Sequence, residues 1–83
     1  MKLSGSFDFP TAKALLRTVV STPAPAAIQV DFSQVSEFSE LALAGLGAWL
    51  LRRGRKVAAV GLGDRQRELL EELGFSAAFV RAA

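Results

Sequence analysis

Cysteine, histidine and tyrosine are all absent from this chain of 83 residues. Without thiolate or imidazole ligands, disulfide bonds and the commonest transition-metal sites are excluded, and the lack of cysteine fits a reducing compartment. The same absences remove most of the side chains that act as general acids, bases or nucleophiles. We therefore expect a protein that is not an enzyme and that binds no metal or cofactor.

Long apolar runs and a secretory leader are lacking as well. The longest apolar run, residues 41–51, is about half as long as a membrane-spanning helix, which needs about 20 residues. Residues 1–8 contain no apolar stretch that leads to a small-residue cleavage site. These features predict a cytoplasmic protein that does not insert into a membrane.

The composition that remains is that of a globular protein, with 51% hydrophobic and 22% charged residues and a net charge of +2. Its length allows a single domain over residues 1–83. A domain of this size buries only roughly 60% of the surface that its unfolded chain exposes. We therefore expect marginal stability and a simple binding site.

The first half of the chain alternates between strand and helix patterns. Residues 3–9 (LSGSFDF) alternate apolar and polar side chains, which predicts a strand. Residues 10–20 carry apolar side chains at helical spacing. Two prolines predict a turn over residues 21–25, and residues 27–32 (AIQVDF) alternate again as a second strand. The polar residues 33–38 predict a loop.

The second half begins with LALAGLGAWLL (41–51), which is apolar all round and predicts a largely buried helix. Ser39 is well suited to cap it. Gly45 and Gly47 each cost about 1 kcal/mol relative to alanine inside a helix, so we expect another part of the chain to pack closely against both. Trp49 is predicted to lie in the core or, if exposed, to anchor an interface.

The last third of the chain supplies a strand, a helix and a further short strand. KVAAV (56–60) is short and apolar, which is typical of a strand covered on both faces. Asp64 is predicted to cap the third helix, and residues 75–80 to add a last short strand. The leucines of the third helix that should face the core are Leu69, Leu70 and Leu73.

This order, β-α-β-α-β-α(-β), predicts a single small α/β domain. Strands that alternate with helices of about ten residues favour a parallel sheet with helical cover. We expect a mostly parallel or mixed four-stranded sheet covered by about three helices.

Four segments, taken in order, resemble the STAS domains (sulfate transporter and anti-sigma factor antagonist family). LSGSFDFPTAKALL (3–16) is similar to the family's opening strand, turn and helix, and IQVDFSQVSEF (28–38) to its central strand and loop. LALAGLGAWLL (41–51) resembles its buried helix, and VAAVGLGDRQRELLEELGF (57–75) its third strand, turn and following helix. The resemblance spans nearly the whole chain and implies a STAS-like fold with a non-catalytic, protein-binding function.

The chain departs from this family at the phospho-acceptor motif that begins the buried helix. The family pattern of aspartate, serine, serine or threonine, glycine and leucine corresponds here to residues 39–43, so Leu41 stands at the acceptor position. A slip of one residue would put Glu40 there, which we interpret as a carboxylate favoured by the helix dipole and not as a phosphate mimic. The resemblance then implies phosphorylation-independent binding, with Ser39 and Ser36 as the remaining candidate phosphorylation sites.

Six consecutive residues form the predicted partner-binding site. They lie where a helix N-terminus meets the carboxyl end of a parallel strand, the edge at which open α/β sheets bind ligands. The residues are Ser36, Glu37, Phe38, Ser39, Glu40 and Leu41. The resemblance implies a kinase-type anti-sigma factor or another signalling regulator as partner, in a bacterial partner-switching or signalling pathway. Alternatively, it implies an accessory role beside the ATPase subunit of a lipid ABC transporter.

Two further features leave alternatives open. The basic residues within 52–56 suggest a nucleic-acid-binding domain, but no aromatic platform accompanies them, so we interpret them as a helix end and a solvated loop and expect no nucleic acid partner. The strand that usually opens the family's fold is expected to be missing, because Met1 leaves no room for it. We expect this to leave a sheet edge that a partner or a second copy pairs with, giving a homodimer in the latter case.

Overall fold

A single sheet of four parallel strands organises the molecule. The computed structural model describes residues 1–23 and 27–81. The strands are β1 (Lys2–Phe7), β2 (Ile28–Phe38), β3 (Val57–Val60) and β4 (Phe79–Arg81), and they lie in this order across the sheet. All three strand pairings are parallel, so the predicted α/β class is confirmed and the sheet is not mixed.

Three helices connect these strands: α1 (Phe9–Ser21), α2 (Glu40–Arg52) and α3 (Asp64–Glu72). A short 3₁₀ turn, Ser76–Ala78, precedes β4. Because strand–helix–strand crossovers between parallel strands are right-handed and the strand order never reverses, the three helices lie on one face of the sheet. Helix α2 packs between α1 and α3 in that layer.

The core lies between this helix layer and the sheet. All side chains that are buried in the described part of the chain are apolar. Large residues with less than 2% exposure come from both layers, and they include Phe7, Leu15, Phe32, Leu46 and Leu70. Strand β3 shows that the sheet is covered on one side, because Val57 and Ala59 are buried whereas Ala58 and Val60 are only half-buried. The expectation that this strand is covered on both faces was therefore wrong.

The predicted loop over residues 33–38 was also wrong, because these residues continue β2 as far as Phe38. Their backbone pairs with β1, in which Ser4 lies opposite Gln34 and Phe7 opposite Phe38. Two register irregularities each place one extra residue in β2. The apolar residues Phe32, Val35 and Phe38 are consequently spaced by three, which hides the alternation of a strand.

Several details of the helices differ from the sequence-based expectation. Gly63, and not Asp64, occupies the N-cap of α3, and Asp64 is the first helical residue. Of the three leucines expected in the core, Leu70 is buried and Leu69 packs against the core, but Leu73 is 44% exposed because the helix ends there. In the turn expected over residues 21–25, Ser21 ends α1, and residues 24 and 25 lie outside the described residues.

The two glycines of α2 have different environments. A Cβ atom on Gly47 would lie 2.9 Å from Cβ of Phe75, which confirms the expected close approach at this position. A Cβ atom on Gly45 would meet nothing within 4 Å. The described fold therefore favours a glycine at position 47, where any other residue would displace Phe75, and gives no reason for one at position 45.

Candidate functional site

Two helices begin side by side at the carboxyl edge of the sheet. Phe7 and Phe38 end the paired strands β1 and β2, and the backbone N–H of Ser39 donates to the carbonyl of Phe7 at 2.8 Å. Asp8 then caps α1, and Ser39 caps α2. With Ser6, Glu37 and the two phenylalanines, the caps line a cleft of about 350 Å³. The pairing of β1 with β2 thus holds the N-termini of α1 and α2 next to each other, so that they form one surface.

The Asp8 cap is built from two hydrogen bonds with Thr11. The carboxylate accepts from the backbone N–H of Thr11 at 3.1 Å and from its hydroxyl at 2.9 Å. These bonds favour the ionised form and hold the pKa of Asp8 below its ordinary value, with the backbone bond as the larger cause. The carboxylate is therefore charged at neutral pH beside the cleft.

This cap predicts a pH dependence of stability. Because the pKa of Asp8 is lower in the folded state, its contribution is fully present above the ordinary aspartate pKa of ~3.9 and is lost as the pH falls through the lowered value. We expect Asp8→Ala to lose more stability at pH 6 than at pH 2. Urea unfolding across this range measures the difference. Thr11→Val keeps the backbone donor and should raise the pKa of Asp8 only part of the way; an unchanged pKa would contradict the assignment.

The predicted partner-binding residues 36–41 divide between the strand and the helix. Ser36, Glu37 and Phe38 are the last residues of β2, Ser39 is the N-cap, and Glu40 and Leu41 form the first turn of α2. Ser36 and Glu37 are exposed, and the hydroxyl of Ser36 donates to the carbonyl of Gly5 at 3.3 Å. These six consecutive residues, here called the ridge, thus run from the exposed end of β2 into the first turn of α2.

Phe38 secures this ridge to the core. Its ring centre lies 5.9 Å from that of Phe7 and 6.1 Å from that of Phe32, and the rings of Phe7 and Phe32 are 5.7 Å apart. Such separations are those of favourable aromatic pairs. The ends of β1 and β2, which both helix caps follow, are therefore held by an aromatic cluster in which Phe7 and Phe32 are buried and Phe38 is half-buried.

The start of α2 exposes one large apolar side chain between charged and polar neighbours. Ser39 Oγ accepts from the N–H of Ala42 at 3.2 Å, which confirms the expected cap. Glu40 forms an ion pair of 3.3 Å with Arg65 of α3. Leu41 is 71% exposed, the largest exposure among the large hydrophobic residues described. An all-apolar helix sequence had indicated burial, which is wrong at this position.

A second surface lies beside the ridge, and sequence reasoning did not identify the part of it that α1 contributes. An apolar groove of about 330 Å³ runs between α1 and α2, lined by Phe9, Leu16, Gly45 and Trp49 among others. Phe9 is 56% exposed. The sequence of α1 does indicate this surface, because Phe9, Lys13 and Leu16 recur at helical spacing and so lie along one side of the helix, beside its core-facing residues.

The comparison with known families settles the nature of the fold. A family model described as Mlab, STAS domain, matches residues 1–81. The chain belongs to the STAS-domain family. The resemblance carried by the four sequence segments is thereby confirmed. A search of curated proteins found no match.

Membership of the STAS family bears on whether this domain has a catalytic role. STAS domains are generally non-catalytic modules. In the described ranges, no cluster of three or more acidic side chains is arranged to hold a metal ion. Over the same residues, no helix combines the length and the apolarity that crossing a membrane requires.

The basic residues at 52–56 are partly engaged within the STAS domain. The guanidinium of Arg53 lies 5.1 Å from the centre of the Trp49 ring, a cation–π arrangement. Arg55 donates to the carbonyls of Val19 and Thr22 at 2.9 and 2.7 Å, which ties the end of α1 to the loop after α2. Trp49 is half-buried beneath Arg53 and packs against the core, so it is neither fully in the core nor fully exposed, the two alternatives that the sequence left open.

Proposed function

We propose that this STAS domain is a non-catalytic, cytoplasmic protein-binding module that docks a partner through residues 36–41 without phosphorylation. The observation that carries the proposal is Leu41, a large apolar side chain that is 71% exposed in the first turn of α2. The resemblance to the family assigns Leu41 to the phospho-acceptor position, with Glu40 as the alternative. An exposed leucine gains free energy when a partner covers it, at about 25 cal/mol per Å² of apolar surface.

The serines near Leu41 support constitutive binding. Ser39 uses its hydroxyl oxygen to cap α2, and Ser36 donates its hydroxyl proton to Gly5. Both hydroxyls serve the local fold, and a phosphate on either would meet the nearby carboxylates of Glu37 and Glu40. We infer that neither serine switches binding in the cell. Phosphate found on Ser36 or Ser39 in protein isolated from its source would contradict this.

The partner is a kinase-type anti-sigma factor or another signalling regulator of a bacterial partner-switching pathway. A second candidate is the ATPase subunit of a lipid ABC transporter, to which the domain would be an accessory subunit. The exposed leucine at the acceptor position favours this second candidate in one respect: a permanent subunit needs an apolar contact and no phosphate switch.

We expect Leu41→Asp to weaken partner binding at least about 30-fold, because an unpaired carboxylate would be buried at an interface hot spot. Partners captured from the source lysate with the wild-type chain are identified by mass spectrometry, and the dissociation constant of each is then measured with both forms.

The matched control is Leu73→Asp, which places the same charge on another exposed leucine, at the end of α3. It should bind as the wild type does. Recovery of an ATPase or of a kinase-type regulator decides between the two candidates. Equal binding by the wild type and Leu41→Asp would refute the ridge as the docking surface.

A further inference from the structure

The groove between α1 and α2 has the features of a site for a third helix. Its lining is apolar except for Lys13, and both helices that form it have 13 residues, which gives them a length of about 20 Å. The ridge at residues 36–41 leads into it, because Leu41 precedes the lining residue Ala42. A groove between two helices is a common receptor for an amphipathic helix.

Gly45 supplies an independent observation. A glycine inside a helix costs about 1 kcal/mol relative to alanine. Its Cβ position is open, so nothing in the described fold explains that cost. Gly45 is exposed at the groove, one turn from Leu41 and one turn from Trp49. A missing side chain between two large apolar ones leaves a notch in which the backbone of another helix can approach closely.

The charges that border the groove indicate what chemistry the occupant has. Lys13 lies in its wall, and Arg53 lies over the ring of Trp49 at 5.1 Å. No acidic side chain is among the described lining residues. An acidic partner segment would therefore meet complementary charge at both places, whereas a basic one would be repelled.

We propose that the groove between α1 and α2 binds an amphipathic helix of a partner protein whose apolar face is flanked by acidic residues. The inference rests on the proposed function, since it names the chemistry of the partner. The residues that line the groove lie outside residues 36–41, so Gly45 and Lys13 can be substituted without changing that segment.

The test pans a display library of helical peptides, with a fixed apolar face and randomised flanking positions, against the full chain. We expect the selected peptides to be enriched in aspartate and glutamate. Trp49 is the only tryptophan, so peptides without tryptophan can be titrated by its fluorescence. Saturable binding should shift the Trp49 emission. Selection of basic or uncharged peptides, or no selection at all, would overturn the proposal.

Gly45→Leu fills the notch and should weaken the selected peptides at least tenfold. Its thermal midpoint should not fall, because the Cβ position is open. Lys13→Glu should weaken acidic peptides to a similar extent. If the selected peptides bind Gly45→Leu as tightly as the wild type, the groove is not their binding site. The proposal is also overturned if the Trp49 emission shifts only with lipid vesicles, or only as the concentration of the chain itself rises. If no peptide binds in the groove but Leu41→Asp still weakens partner binding, this inference is refuted and the proposed function stands.

Discussion

Gly61→Ala is expected to destabilise the domain by about 4 kcal/mol. Gly61 follows β3 with a φ of 80°, a conformation that costs an L-residue roughly 1–2 kcal/mol. A Cβ atom there would also lie 2.6 Å from the backbone nitrogen of Ser33 and 2.7 Å from its Cα. Those atoms belong to β2, so relief requires the two strands to separate, and overpacking of this kind costs about 1–3 kcal/mol.

The matched control is Gly5→Ala. Gly5 has a φ of 76°, but its Cβ position has no neighbour within 4 Å, so only the conformational cost of about 1 kcal/mol applies. A domain of this size has a total stability of about 4–12 kcal/mol. We expect Gly61→Ala to lower the thermal midpoint by about 20 °C and Gly5→Ala by about 5 °C. Equal midpoints would show that the contact with Ser33 is not rigid.

The parts of the fold that depend on neighbouring residues were predictable from the sequence. Ser39 caps α2 through a hydrogen bond to Ala42, three residues away, and such local bonds leave a recognisable pattern. The alternation of strands and helices likewise predicted the α/β class, and with it the position of Ser39 at the carboxyl edge of the sheet.

The parts that depend on distant residues were not predictable. Residues 33–38 form a strand because β1 supplies their hydrogen-bond partners, and the irregular pairing removes the two-residue period. The exposed side of α2 is another example. Its sequence is apolar all round and therefore does not indicate which side of the helix is exposed. Only the packing of α1 and α3 on either side determines that Leu41 and Gly45 face outwards.

The candidate site likewise has one part that depends on neighbouring residues and another that depends on distant ones. Its position at the helix N-terminus followed from the sequence, whereas the groove beside it requires two helices to be placed next to each other. Phe9 illustrates the difficulty, because it lies two residues from the fully buried Phe7 and has the same side chain, yet it is 56% exposed. Phe7 ends a strand and points into the core, but Phe9 begins a helix, and the change of period turns its side chain outwards.

These two phenylalanines allow stability and binding to be separated. Phe7→Ala is expected to cost about 3–5 kcal/mol, because it removes a fully buried ring that contacts Phe32 and Phe38. Phe9→Ala is expected to change stability by no more than about 0.5 kcal/mol. Chemical denaturation of both variants measures the contrast, and Phe7→Leu, which keeps most of the volume, supplies a folded form if Phe7→Ala does not fold.

Binding should show the opposite order. Phe9→Ala removes an exposed lining residue of the groove and should weaken acidic helical peptides about tenfold, a typical effect for an aromatic interface residue. Phe7→Leu leaves the groove lining intact and should bind them with nearly wild-type affinity. Weaker binding in Phe7→Leu than in Phe9→Ala would mean that the aromatic cluster under the ridge, and not the groove, determines recognition.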